Sequence, residues 1–204
     1  MNSITALINK ANYLSKDYKP KDLIIPNIPF GFEGTGQKKH LRKEAAQALE
    51  KLVVDSKKEG LKLYGASGYR SYDRQSSLYN NYVKQHGQKS ADTFSAKPGY
   101  SEHQSGLAMD MTTPSIGYGI DDSFGKTKEA AWLAKNAHRY GFIIRYPKEK
   151  EKITLYKYEP WHLRYVGKDL AKHLYDNALT LEEYYLSSKL SLLIRLMISC
   201  FFIR

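Results

Sequence analysis

The sequence contains almost no cysteine: Cys200 is the single one among 204 residues. One cysteine excludes an intramolecular disulfide and any metal site that needs two or more thiolates. The lack of disulfides is usual for a reducing compartment, but it does not exclude export, because a chain of this length can bury a sufficient core. Any metal site must therefore use histidines and carboxylates.

Clear signals for export and for a membrane span are also missing. Residues 1–10 lack a charged region followed by an apolar run, so they do not predict a signal peptide. The apolar stretch 190–203 contains Arg195 and is shorter than the about 20 residues that a membrane helix needs. We predict no stable membrane span and treat residues 187–204 as an apolar tail of unknown role. A docking helix, an interfacial segment and a departure from the natural end of the domain remain open.

Acidic residues are outnumbered by basic ones, which gives the chain a formal net charge of +11 at pH 7. Such a surface attracts polyanions, including nucleic acid, acidic membranes and acidic wall polymers. The basic residues are spread along the chain, and no zinc-finger, helix-turn-helix or aromatic-basic RNA signature is present. We therefore predict no nucleic-acid partner, keep acidic wall polymers as a partner class, and expect a monomer.

Helical and strand patterns are mixed without a regular βαβ alternation, which favours an α+β domain with a central antiparallel sheet flanked by helices. Residues 17–36 are rich in proline and glycine, and we predict an extended N-terminal arm of about 7–36 that wraps the domain. The whole predicted domain covers residues 1–186. The predicted helices are 40–59, 73–86, one from Thr127 to just before Gly141, and one opened by the capping-box pattern at Thr180–Glu183. The predicted strands are 61–66, 142–146 and 161–166.

Two segments, 101–110 and 159–167, contain residues suited to metal-assisted hydrolysis. His103, Asp110 and His162 could supply three protein ligands and leave a position open for water, whose pKa a metal lowers to about 7. Glu159 could take the proton of that water and pass it to the leaving amine. Each residue alone has a structural explanation, since a lone histidine is more often a surface or core residue than a ligand. The conjunction is more specific, although the H-E-x-x-H helix is absent.

The same segments resemble the motifs of the VanY-like D-alanyl-D-alanine carboxypeptidases, in the zinc DD-peptidase and hedgehog-like fold group. The motif S-x-H-x-x-G-x-A-x-D is matched by Ser101, His103, Gly106, Ala108 and Asp110, and E-x-W-H by Glu159, Trp161 and His162. An upstream S-G-Y-R-S segment, residues 67–71, followed by Gln75, is similar as well. The similarity runs from about Leu7 to about Leu186.

This resemblance implies a role for each matched residue. The implied Zn²⁺ ligands are His103, Asp110 and His162. Glu159 would act as the general base and then as the acid. Arg70 would contact the substrate and stabilise the developing oxyanion. Gln75 and Ser101 would hold the terminal residue of the peptide by hydrogen bonds.

The leading functional prediction is a zinc-dependent carboxypeptidase that releases a C-terminal D-alanine from a D-Ala-D-Ala end of a peptidoglycan stem peptide. An L,D-carboxypeptidase that acts on the tetrapeptide stem is the alternative, because the motifs are shared. A non-catalytic wall-binding module is a further alternative, although a binder would need neither Glu159 nor Arg70. The substrate predicts a location at the cell wall or extracellular face, whereas the lack of a recognisable signal peptide leaves the cytoplasm open.

Overall fold

A computed structural model describes residues 3–190 of the chain. The strands are β1 (Leu23–Ile24), β2 (Leu41–Arg42), β3 (Tyr64–Ser67), β4 (Ala108–Thr112), β5 (Phe142–Tyr146) and β6 (Glu159–Tyr165). The α-helices are α1 (Lys43–Lys58), α2 (Tyr72–His86), α3 (Gln88–Ala91), α4 (Lys128–Asn136), α5 (Glu151–Thr154), α6 (Lys168–Asp176) and α7 (residues 181–190). Short 3₁₀ turns are Gln37–Lys39, Glu102–Ser105, Pro114–Ile116, Asp122–Lys126 and Ala137–Tyr140.

Four of the strands form the central sheet in the order β3-β4-β6-β5, and every neighbouring pair is antiparallel. All five residues of β4 are buried, which is expected of an inner strand covered on both faces. The predicted α+β architecture with an antiparallel sheet is therefore confirmed. The predicted strand 142–146 matches β5, while β3 begins three residues after the predicted start at 61.

The helices pack apolar faces against this sheet. Helix α1 buries Ala45, Leu49 and Leu52, which recur at helical spacing along one face. The predicted start at residue 40 is wrong, because Leu41–Arg42 pair with the arm as strand β2. Thr127 caps α4 through a hydrogen bond that its Oγ1 accepts from the Ala130 amide at 3.1 Å. That helix ends at Asn136 and continues as a 3₁₀ turn to Gly141.

The predicted capping box at the start of α7 is present. The Thr180 amide donates to Glu183 Oε2 at 2.7 Å, and the Glu183 amide donates to Thr180 Oγ1 at 3.2 Å. Residues 181–190 are helical, and the predicted apolar tail lies outside the described residues from position 191 onward. Within residues 3–190, no helix is both long and apolar enough to cross a membrane.

The predicted N-terminal arm packs along the domain. Strand β1 pairs with β2, and a bridge between Phe30 and Gly65 joins the arm to the edge of the central sheet at β3. Covering an edge strand in this way satisfies backbone groups that would otherwise be free to pair with another chain. Ile28 packs against the main core, whereas Ile25 remains 43% exposed.

Candidate metal-dependent active site

The register of two inner strands places two of the predicted ligands side by side. Asp110 of β4 and His162 of β6 are direct cross-strand partners. Their side chains point to the same face of the sheet, and His162 Nδ1 lies 3.0 Å from Asp110 Oδ1. Both residues are almost fully buried. The antiparallel pairing therefore unites residues that are 52 positions apart in the sequence.

His103 joins this pair from the 3₁₀ turn Glu102–Ser105 that precedes β4. Its Nδ1 lies 2.8 Å from the Gly68 carbonyl oxygen, so Nδ1 carries the hydrogen and Nε2 is left to face Asp110. Gly106 ends the turn in the left-handed region, at φ +69°, and a Cβ there would lie 2.8 Å from Leu23 Cδ2. The turn thus needs glycine for its backbone conformation and for its close approach to β1.

The donor set fits a small divalent metal ion. One ligand atom from each of His103, Asp110 and His162 can be chosen so that all lie within 4.8 Å of one another. His103 Nε2 lies 3.4 Å from Asp110 Oδ2 and His162 Nδ1 lies 3.0 Å from Asp110 Oδ1. Two ligands of a tetrahedral ion, each at about 2.0–2.1 Å, stand roughly 3.3 Å apart. Two imidazoles and one carboxylate, with the remaining position free for water, form a donor set suited to a catalytic zinc ion.

Glu159 lies at the start of β6, beside the three ligand residues. Its Oε2 is 3.8 Å from His162 Nδ1, and its side chain is 14% exposed. Burial raises the pKa of Glu159 to about 7, with the nearby Asp110 carboxylate acting in the same direction and His162 against it. A carboxylate with a pKa near neutrality can both accept and return a proton at physiological pH, as a general base and acid must.

Arg70 lines a cleft together with Glu159 and the predicted ligands. Two neighbouring side chains hold its guanidinium in place. Its Nη1 donates to Gln75 Oε1 at 2.9 Å, and its Nη2 donates to Ser67 Oγ at 3.1 Å. Gln75 is 1% exposed, and its Nε2 donates to the Ala96 carbonyl at 2.6 Å. The amide of Gln75 therefore orients Arg70, and the predicted contact of Gln75 with substrate stays a prediction. Ser101 lines the cleft, where its predicted hydrogen bond to substrate also stays a prediction.

Sequence reasoning missed one buried carboxylate in contact with the ligand cluster. Glu102 Oε2 lies 3.2 Å from His162 Nε2, and Arg145 and Arg164 each donate to Glu102 Oε1 at 2.7 Å. Burial acts to raise the pKa of Glu102, but the two guanidinium charges hold that pKa well below its usual range. The available signal was an arginine inside each of two predicted strands, Arg145 in 142–146 and Arg164 in 161–166.

The contacts of His162 with Asp110 and Glu102 and its burial change its pKa in opposite directions. Burial acts to lower the pKa of His162, but hydrogen bonds to Asp110 and Glu102 outweigh it and raise that pKa to about 9. His103 behaves differently, because burial dominates there and lowers its pKa to about 3. The two imidazoles are therefore held in unlike environments, one between carboxylates and one against a backbone carbonyl.

The three predicted ligands, Glu159 and Arg70 line one cleft of about 370 Å³. Its lining combines the ionisable residues with an apolar wall, made by Leu78, Tyr82, Phe94, Ile120, Tyr146, Tyr156 and Trp161. Three residues that could hold a metal ion, an adjacent carboxylate of near-neutral pKa and a fixed guanidinium at one concave site are the features of a metal-dependent hydrolase.

Comparison with known proteins then identifies the family. The family model for VanY, described as D-alanyl-D-alanine carboxypeptidase, matches residues 38–168. The chain belongs to this family of peptidases. YodJ of Bacillus subtilis (strain 168) is 53% identical over 183 residues, which is 90% of this chain and 67% of that protein.

Two solved structures share the fold over most of the chain. The LD-carboxypeptidase LdcB, whose structure concerns peptidoglycan recognition, is 53% identical, with a TM-score of 0.87 over 90% of this chain and 86% of that one. A mutant of the D,D-pentapeptidase VanY from a VanB-type vancomycin resistance cassette, in complex with Zn(II), is 30% identical, with a TM-score of 0.73 over 91% and 99%.

Proposed function

We propose that this chain is a zinc-dependent L,D-carboxypeptidase that releases the terminal D-alanine from the tetrapeptide stem of peptidoglycan. The observation that carries the L,D assignment is its 53% identity to the LD-carboxypeptidase LdcB, against 30% to the D,D-pentapeptidase VanY. The resemblance to the VanY-like family makes the D,D activity the leading prediction from the sequence, although the motifs are shared by both activities. The difference in overall identity reverses that preference.

Zinc is the metal we propose for the triad of His103, Asp110 and His162, in keeping with the Zn(II) bound by VanY. When bound, it would supply Lewis-acid activation of water and of the scissile carbonyl. Glu159, whose Oε2 lies 3.8 Å from His162 Nδ1, would accept the proton from the attacking water. It would then give that proton to the leaving amine of D-alanine as the C–N bond breaks, so the products are a new carboxylate and free D-alanine.

Arg70 would bind the oxygen of the scissile carbonyl as negative charge develops on it. Gln75 and Ser67 hold the guanidinium in place before substrate arrives, so little reorganisation is needed in the transition state. We further infer that the protein works where its substrate lies, at the cell wall. Acidic wall polymers as partners and a monomeric state stay predictions.

The D,D-carboxypeptidase is the second candidate, favoured by the description of the matching family. The two candidates differ only in the peptide that is cut. The D,D activity acts on a pentapeptide that ends in D-Ala-D-Ala, and the L,D activity acts on a tetrapeptide whose D-alanine follows an L-residue. The residues in the cleft that we have assigned serve both reactions. The distinction therefore has to come from the substrate preference.

The test feeds the zinc-loaded protein a D-Ala-D-Ala-terminated pentapeptide and, separately, the tetrapeptide, and measures D-alanine and the shortened peptide by mass spectrometry. Each reaction is run with and without a chelator. Glu159→Gln is run beside the wild type, and Glu33→Gln, which removes the charge of an exposed carboxylate, is the matched control. We expect chelator-sensitive release from the tetrapeptide that Glu159→Gln loses and Glu33→Gln keeps.

The outcomes separate the candidates. Preferential cleavage of the pentapeptide would replace the L,D proposal with the D,D activity and leave the metallopeptidase mechanism standing. Release that survives the chelator would overturn the metal-dependent mechanism. If neither peptide were cut by zinc-loaded protein that binds wall polymer, the wall-binding module would be the better account.

A further inference from the structure

A largely buried network of four charged side chains lies behind His162, one of the proposed metal ligands. Its members are Glu102, Arg145, Arg164 and Glu182. Its centre is Glu102, whose side chain is fully buried and contacts His162, Arg145 and Arg164. Glu102 Oε2 faces His162 Nε2, while Oε1 accepts both arginine hydrogen bonds. The two carboxylate oxygens therefore differ in their contacts, since one faces the imidazole and the other anchors the carboxylate.

The two arginines extend the network to both ends of the domain. Arg145 Nη1 and Nη2 donate to the two oxygens of Glu182, on α7, at 2.8 and 2.6 Å. Arg164 Nη2 donates to the carbonyl oxygens of Ile4 and Ala6 at 3.0 and 2.8 Å. Residues 4, 6 and 182 all lie outside the stretch 38–168 that the family model matches. Segments outside the matched region therefore contact Arg145 and Arg164, the two arginines that hold Glu102 beside His162.

We propose that Glu102 is a positioning residue for the metal centre and that α7, through Glu182 and Arg145, is part of its support. By accepting a hydrogen from His162 Nε2, Glu102 fixes the imidazole tautomer in which Nδ1 presents its lone pair to the metal. An outer carboxylate of this kind orients a histidine ligand and raises its affinity for the ion. Arg145 and Arg164 hold Glu102 at the distance and angle that this contact requires.

A purely structural role is the competing explanation. Two arginines and two glutamates balance in charge, and such a buried network can persist only because each member keeps its partners. That account explains the arginine contacts without requiring any effect on metal binding. It predicts that breaking the network lowers the stability of the metal-free fold and leaves the affinity and geometry of the metal site unchanged.

The first experiment compares two neighbouring substitutions on α7. Glu182→Gln weakens the ion pair with Arg145, whereas Glu183→Gln changes the adjacent residue, whose contacts are to Lys150 and the Thr180 cap. For each protein, the zinc dissociation constant is measured by chelator competition, and the melting temperature of the metal-free protein is recorded. We expect Glu182→Gln, but not Glu183→Gln, to weaken zinc binding.

The visible absorption of the Co(II)-substituted proteins gives a readout of ligand geometry that a stability effect would not change. Glu102→Gln should shift these bands and weaken zinc binding by about 10–100-fold, the usual cost of losing an outer partner of a metal ligand. Glu182→Gln should act in the same direction and less strongly. If Glu102→Gln does not fold, the comparison of Glu182→Gln with Glu183→Gln still tests the support from α7. Glu102→Asp, which keeps the charge but draws the carboxylate away from His162, then takes its place in both measurements as the test of the positioning role.

Unchanged zinc affinity and unchanged Co(II) spectra in Glu182→Gln would overturn the role of α7, and the same result in Glu102→Gln would overturn the positioning role. The inference rests on the metal site of the proposed function, but the readouts need no peptide. A failure of the peptide assay with intact zinc binding would therefore count against the proposed substrate alone.

Discussion

Asp110 and His162 are direct cross-strand partners on β4 and β6, and their facing side-chain atoms lie 3.0 Å apart. This single register relationship holds two of the three proposed metal ligands on neighbouring inner strands. A shift of the register by one residue would turn one of the side chains to the other face of the sheet. The geometry of the metal site is therefore built into the pairing of the two inner strands.

Replacement of Asp110 tests this ligand assignment. Asp110→Asn keeps the size of the side chain but removes the charge that a divalent ion requires of the site. We expect zinc affinity to fall by more than the roughly 10–100-fold that is typical for loss of an outer partner. Competition with a chromogenic chelator measures it, with Asp17→Asn at an exposed position as the control. Equal affinities in the two variants would contradict the assignment.

Substitution of Arg70 or of its partner Gln75 should lower turnover without lowering zinc affinity. Arg70→Lys should lower kcat by about 10²–10³-fold, because a preorganised oxyanion donor is lost. Gln75→Ala should lower kcat less, by freeing the guanidinium that its Oε1 now holds at 2.9 Å. Zinc affinity should be unchanged in both, since neither residue is among the proposed ligands. Steady-state kinetics on the preferred peptide measure this, and Gln47→Ala on the exposed face of α1 is the control.

Gly106 should be intolerant of any side chain. Gly106→Ala places a Cβ at φ +69°, which costs about 1–2 kcal/mol by itself. It also brings that Cβ to 2.8 Å from Leu23 Cδ2 and 3.1 Å from Arg42 Cγ, so these side chains must shift to make room for it. Gly34→Ala is the matched control, because Gly34 has φ +89° but nothing within 4 Å of the added Cβ. Urea unfolding should show the larger destabilisation for Gly106→Ala, and equal losses would contradict the predicted clash.

The cap of α7 predicts a pH-dependent contribution to stability. Burial acts to raise the pKa of Glu183, but its hydrogen bonds to Thr180 and Lys150 outweigh this and lower that pKa from its ordinary value of 4.5. A depressed folded-state pKa stabilises the fold above the unfolded value, and that stability is lost as the pH falls through the folded pKa. The melting temperature of the wild type should therefore exceed that of Glu183→Gln at pH 7, and the difference should close in the acid range. A difference that persists unchanged at low pH would show that the charge of Glu183 is not its source.

Much of the local structure could be predicted from short-range patterns. The capping box at Thr180 and the Thr127 cap both depend on residues three positions apart, and both are present. The predicted start of α1 at residue 40 is too early, because Leu41 and Arg42 pair with residues 24 and 23 of the arm. That competition between a helix and a distant strand is not visible in any local window.

The sequence by itself predicted the chemistry of the site. The types and spacing of His103, Asp110, Glu159 and His162 restricted the chemistry to a metal held by imidazole and carboxylate, with a carboxylate beside it. Tertiary structure decided what surrounds those groups. Glu102 lies behind His162 and between two arginines because strand pairing and burial join residues that are more than 40 positions apart. In a buried site such contacts set orientation and pKa, and they exist only once the chain has folded.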